Sequence, residues 1–158
     1  MKELAAYLKD HLAGATAAVE LLEHLKEKYK EDELGKFFSK LHQEVTSDRE
    51  VLVRLLRRFS KEGPLRNAAA WLVEKFNRAR IKLAGDKPGQ LGLVEVYEVL
   101  VLGITGKQLL WRALHASLGE SPLLKGFNLE ELEQRAIDQL ERVEAHRLEA
   151  ARVAFLRG

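Results

Sequence analysis

Residues 34–59 read LGKFFSKLHQEVTSDREVLVRLLRRF. Leu34, Phe38, Leu41, Val45, Leu52, Leu55 and Phe59 recur at steps of one and two helical turns, which is the signature of a single buried helix face. Asp48 occupies the gap in that stripe, and Glu44 stands one turn before it on the same side. A carboxylate in an apolar stripe is costly unless it meets a metal or a cation. The stretch therefore predicts a long amphipathic helix and raises a question about the acids on it.

The same periodicity extends in both directions. A first helix is predicted from about Lys2 to Lys30, with Leu8, Leu12, Ala15, Val19, Leu22 and Tyr29 as its inner line, flanked by Gly14, Ala18, Leu21 and Leu25. Gly14 and the small residues from Ala13 to Ala18 would let a neighbour come close. The second helix runs from about Glu33 to Ser60, where Gly63-Pro64 breaks the chain. A shorter helix is predicted from about Pro64 to Leu83, ended by Gly85 to Gly89. From Gln90 to Leu118 the pattern is apolar on nearly every side (Leu91, Leu93, Val94, Val96, Leu100, Val101, Ile104, Leu110, Trp111, Leu114), which predicts a helix enclosed by neighbours. The last helix runs from about Leu129 to Leu156, with Asn128 and Glu131 placed as a capping box. Its stripe is Leu132, Ala136, Leu140, Val143, Ala150 and Val153.

The long segments are matched in length, roughly 40 Å at ~1.5 Å per residue. The first two are joined by a few residues and the last two by a short loop, so each pair should be antiparallel. The expectation is all-α: a ferritin-like four-helix bundle of two antiparallel hairpins joined by a long crossover that carries the short extra helix. A chain of 158 residues fits one such domain over residues 1–158.

Composition narrows the chemistry. Cysteine is absent, so disulfides, thiolate nucleophiles and thiolate zinc sites are excluded. A net charge of +2 carries no clear nucleic-acid signal. The N-terminal stretch MKELAAYLKDHL has charges throughout, unlike a signal peptide, and the apolar stretch 91–102 is too short to span a bilayer, so a cytoplasmic location is expected. Basic residues outnumber acids between Arg49 and Lys87, among them Arg54, Arg57, Arg58, Lys61, Arg66, Lys75, Arg78, Arg80 and Lys82. Such a run reads first as a solvated face and second as a dock for an acidic partner, nucleic acid or an anionic membrane. Broad apolar surface around Trp111, and Arg142 near Glu130, Glu131 and Glu141, make a homodimer plausible.

Ferritin-like di-metal bundles place one Glu on each of two helices and a Glu-x-x-His pair on each of the others. The carboxylates Glu44, Asp48, Glu98 and Glu144 suit that pattern, with Glu95 beside Glu98. The histidines do not follow it: Ser47 stands three residues after Glu44, and Arg147 three after Glu144. A guanidinium has no free lone pair for a metal but clamps a carboxylate with paired hydrogen bonds. The first reading is thus an ion-pair network of Arg147 with Glu44, Asp48, Glu98 or Glu144. The second is a degenerate iron or manganese site, with His11 or His146 contributing. His11 is the histidine nearest an inner line and is expected to be hydrogen-bonded in the core. No two histidines are three or four residues apart, which argues against a haemerythrin-like iron site. The GITGK segment, 103–107, lacks the spacer and strand of a phosphate loop. Gly103 and Gly106 are expected to permit close helix packing, and Lys107 to extend outward or pair with a carboxylate. No catalytic residue can be assigned.

HLAGATAAVELLEHL, EVTSDREVL, AAAWLVEKFNRARIKL, LVLGITGKQLLWRAL and QLERVEAHRLEAA together resemble small uncharacterised bacterial proteins with a ferritin-like bundle. The resemblance spans essentially the whole chain and implies a fold without an activity. The expected function is that of a non-enzymatic bundle acting through protein–protein association without a cofactor. The alternative is a divergent metal-binding (di-iron or di-manganese) protein or oxidoreductase.

Overall fold

The computed structural model describes residues 2–60 and 89–156, all helical and without a strand among the described residues. The helices are α1 (Lys2–Lys28), α2 (Glu33–Phe59), α3 (Gln90–Leu118) and α4 (Leu129–Leu156), with a single 3-10 turn at Pro122–Leu124 before α4. The short helix expected at 64–83 lies outside the described residues. The described elements fall into two compact units, α1 with α2 and residues 122–125, and α3 with α4.

In the first unit the chain turns from α1 into α2 within four residues, and backbone bonds close the turn: Asp32 N–H donates to the Tyr29 carbonyl (2.9 Å) and Gly35 N–H to the Asp32 carbonyl (3.0 Å). Gly35 is required there, because a Cβ at this position would lie 2.2 Å from the Tyr29 carbonyl oxygen. Past the turn, Tyr29 meets Phe38 (ring centroids 5.8 Å), His42 Nε2 meets Glu23 (3.0 Å), and Arg49 Nε donates to Thr16 Oγ1 (2.9 Å). Residue numbers thus fall along α1 as they rise along α2. Leu8, Leu12, Leu22, Phe38, Leu41 and Leu55 are buried. Arg58, in the last turn of α2, donates to the carbonyls of Leu123 (3.0 Å) and Lys125 (2.6 Å).

In the second unit α3 and α4 meet through Arg112–Glu133 (2.6 Å), Lys107–Gln139 and Arg147–Glu98 (3.5 Å), again with numbers falling on one helix as they rise on the other. Tyr97, Trp111, Leu110, Leu114, Ala136 and Val143 are buried. Asn128 Oδ1 accepts the Glu131 N–H (3.1 Å), as the capping pattern predicts.

The stripe of α2 is seated as expected from Phe38 to Leu55. The face of α1 is rotated from the expected line: Ala13, Ala17, Leu21 and Leu25 are buried, while Ala15 and Val19 are only half-buried. Among a run of small residues the apolar period is weak, so the leucines at 21 and 25 decide the orientation. Gly14 is exposed, with nothing within 4 Å of a Cβ built there, so it serves no close approach. Gly103 and Gly106 likewise have open space where a Cβ would stand, against the expectation of close packing. Nor is α3 enclosed on every side, since Leu91, Leu102 and Leu109 are exposed and Val101 is only half-buried. No helix of the described residues is long and apolar enough to cross a membrane.

Candidate functional site

Arg147 is the centre of the best-defined charged cluster. It lies one turn beyond Glu144 on α4, so their side chains share a face. Its Nε donates to Glu144 Oε2 (2.7 Å) and its Nη2 to Glu144 Oε1 (2.7 Å), a two-pronged clamp that engages both carboxylate oxygens. From α3, Glu98 Oε1 lies 3.5 Å from Arg147 Nη1. Arg147 and Glu144 are half-buried, at 26% and 40% side-chain exposure, and Glu98 is exposed at 53%. The hydrogen bonds from Arg147 hold the Glu144 carboxyl below its usual range against a smaller opposing effect of burial. Reciprocally, the bond to Glu144 holds the guanidinium proton more firmly.

Of the residues singled out from the sequence, Glu98, Glu144 and Arg147 meet. His11, Glu44 and Asp48 belong to the α1–α2 unit. There Asp48 is buried (3% exposed) in the gap of the α2 stripe, while Glu44 is half-buried. By the register of the α1–α2 contacts, His11 stands level with the C-terminal half of α2, more than two turns from Glu44. Instead of entering the core, His11 is half-buried and packs edge-on against Tyr7 (4.6 Å). Burial lowers its pKa, with Asp10 acting the other way. On α4, His146 lies 5.9 Å from the buried Tyr97 ring, and burial lowers its pKa also.

The α3–α4 cluster does not fit a Glu/Glu-x-x-His metal centre. Both oxygens of Glu144 are engaged by a cation that offers no lone pair. On α2, position 47 is an exposed serine. Within neither unit do three or more His, Asp or Glu side chains of the described residues gather as a ligand group.

Other polar contacts escaped the sequence reading. Arg49 opens the basic segment yet is not a solvated charge: it donates to Thr16 Oγ1, which itself donates to the Leu12 carbonyl (2.9 Å). Arg58 is likewise committed, to the carbonyls at 123 and 125. Residues 61–87 of that segment lie outside the described residues. Lys107 donates to the amide oxygen of Gln139, a residue only 1% exposed. A signal for Gln139 was available: it takes a stripe position between Ala136 and Val143. The buried Trp111 indole N–H has no hydrogen-bond acceptor among the described residues. In comparisons with known protein families, with curated proteins and with solved structures, the chain matches none.

Proposed function

We propose that this chain is a non-enzymatic helical protein that acts through protein–protein association, with an arginine–carboxylate network where ferritin-like di-metal proteins carry their metals. The observation that carries the reading is the clamp of Arg147 on Glu144 with Glu98 beside it. Charge that metal ions would balance in a di-metal bundle is balanced here by a guanidinium. The ferritin-like order, two antiparallel hairpins joined by a long connection, is supported by the four-residue turn between α1 and α2 and by the falling-against-rising contacts in each pair.

A second reading, a divergent iron- or manganese-binding protein or oxidoreductase, draws on one observation: Asp48 is buried in an apolar stripe, with Glu44 one turn before it on α2. Metal analysis of protein purified without chelator separates the two. The network reading expects no stoichiometric iron or manganese. Stoichiometric metal that is lost in Glu44→Ala and Glu144→Ala would overturn it in favour of the second.

A further inference from the structure

The exposed side of α3 carries an apolar stripe with an internal symmetry. Leu102 and Leu109, 73% and 53% exposed, are two turns apart on one face, and exposed Ala113 and Ala116 continue it. The opposite side of α3 is the one committed to its own fold, through Leu100, Ile104, Trp111 and Leu114. Between the two leucines, Gly106 leaves open space where a Cβ would stand. Two exposed leucines flanking a notch on an otherwise ordered helix form a patch that calls for a cover.

The charges around the patch select the cover. Glu98 stands one step N-terminal to the leucines and Arg112 one step C-terminal, each seven residues from Thr105. At ~1.5 Å per residue each charge lies roughly 10 Å from that midpoint. A two-fold axis through Thr105–Gly106 sets Leu102 against Leu109 of a second copy, and at the same time sets Glu98 against Arg112 of that copy. A parallel pairing would instead oppose Glu98 to Glu98 and Arg112 to Arg112. Both side chains keep more than half of their surface exposed, so their contacts to Arg147 and Glu133 leave room for a further partner.

We infer that the chain forms a two-fold dimer through antiparallel contact of the α3 helices, centred on Thr105–Gly106. One helix face is narrow beside the ~800 Å² per partner of a standard interface, so the dimer is weak and reversible. The inference deepens the association reading above and shares one residue, Glu98, with the arginine–carboxylate network.

Sedimentation velocity from micromolar to high-micromolar concentration tests it on the full chain. The expected result is a shift from 17.9 kDa toward twice that mass. The paired substitution Leu102→Asp with Leu109→Asp should abolish the shift while circular dichroism and the thermal melt are retained, because both side chains already face water. Arg112→Glu or Glu98→Arg alone should weaken dimerisation about tenfold, since each reversal acts twice across a two-fold axis. The two together should restore it. A monomer at every concentration overturns the inference, and so does a monomer that captures a different protein on this face. A dimer that survives the leucine substitutions, or charge reversals that fail to rescue each other, also overturns it. Stoichiometric metal in an intact dimer would overturn the network reading alone.

Discussion

Gly35→Ala should damage the α1–α2 unit although alanine is the better helix former. The new Cβ would lie 2.2 Å from the Tyr29 carbonyl oxygen, 2.8 Å from its carbon and 2.9 Å from Lys30 Cα. All three are backbone atoms, so no side chain can swing aside. Ordinary contact begins at 3.4 Å, and the turn must open by about 1.2 Å to reach it. The crowded oxygen is also the acceptor for Asp32 N–H, so opening weakens a bond that closes the turn. Overpacking costs about 1–3 kcal/mol and a weakened hydrogen bond about 1 kcal/mol, against a gain of about 1 kcal/mol in helix propensity. The net loss is about 1–3 kcal/mol. Gly14→Ala is the control within the same unit: it is exposed in mid-helix with nothing within 4 Å of the new atom. It should gain about 0.5–1 kcal/mol. Urea unfolding followed by circular dichroism reads both variants. A Gly35→Ala protein as stable as its parent would refute the reasoning.

Three further outcomes can be checked. Arg147→His turns Glu144-x-x-Arg147 into a metal-binding pair beside Glu98, so the variant should take up cobalt(II) with a visible absorption band that the parent and Arg147→Met lack; equal uptake by all three would count against the guanidinium standing in a ligand position. Lys107→Met should destabilise by about 1–2 kcal/mol because Gln139 is buried, and Lys107→Met with Gln139→Leu should recover most of that loss; a purely additive pair in denaturation would show that the two side chains do not cooperate. His11 and His146 both have pKa values lowered by burial, so the unfolded chain binds protons more readily. Stability should therefore be fully present above the ordinary histidine value of 6.5 and fall as pH drops below it, with Glu144 adding a further loss below 4.5. Melts of His11→Phe and His146→Phe should show a flatter dependence between those limits, and an unchanged slope would remove the histidines as its cause.

The helices were legible because their stripes are strong. Phe38, Leu41, Val45, Leu52 and Leu55 mark one face without ambiguity, and Asp48 in their gap is buried as its position required. Where apolar residues crowd a helix, periodicity stops choosing a face. The α1 face is rotated toward Leu21 and Leu25, and the α3 pattern concealed that Leu102 and Leu109 point outward. The pairing of Arg147 with Glu144 followed from helical spacing, and Glu98 was already among its named partners. Contacts between sequence-distant side chains left less trace. Nothing around Thr16 announces that it accepts from Arg49. Gly35 reads as an unhelpful residue inside a helix until the Tyr29 carbonyl is seen beside it.

The polar link between Thr16 and Arg49, with Asp48 next to it, has a consequence for how α1 and α2 choose their alignment. Leucines are interchangeable to one another, and a leucine-lined pair of helices could slide by a turn, about 5.4 Å, at modest cost. These polar side chains are not interchangeable with leucines. After such a slide Arg49 would lose Thr16, and buried Asp48 would lose the surroundings it now has. They act as a notch in a vernier, penalising every alignment but one. Replacing all three with aliphatic residues of similar volume should give a hairpin that melts later yet samples several alignments, trading uniqueness for strength.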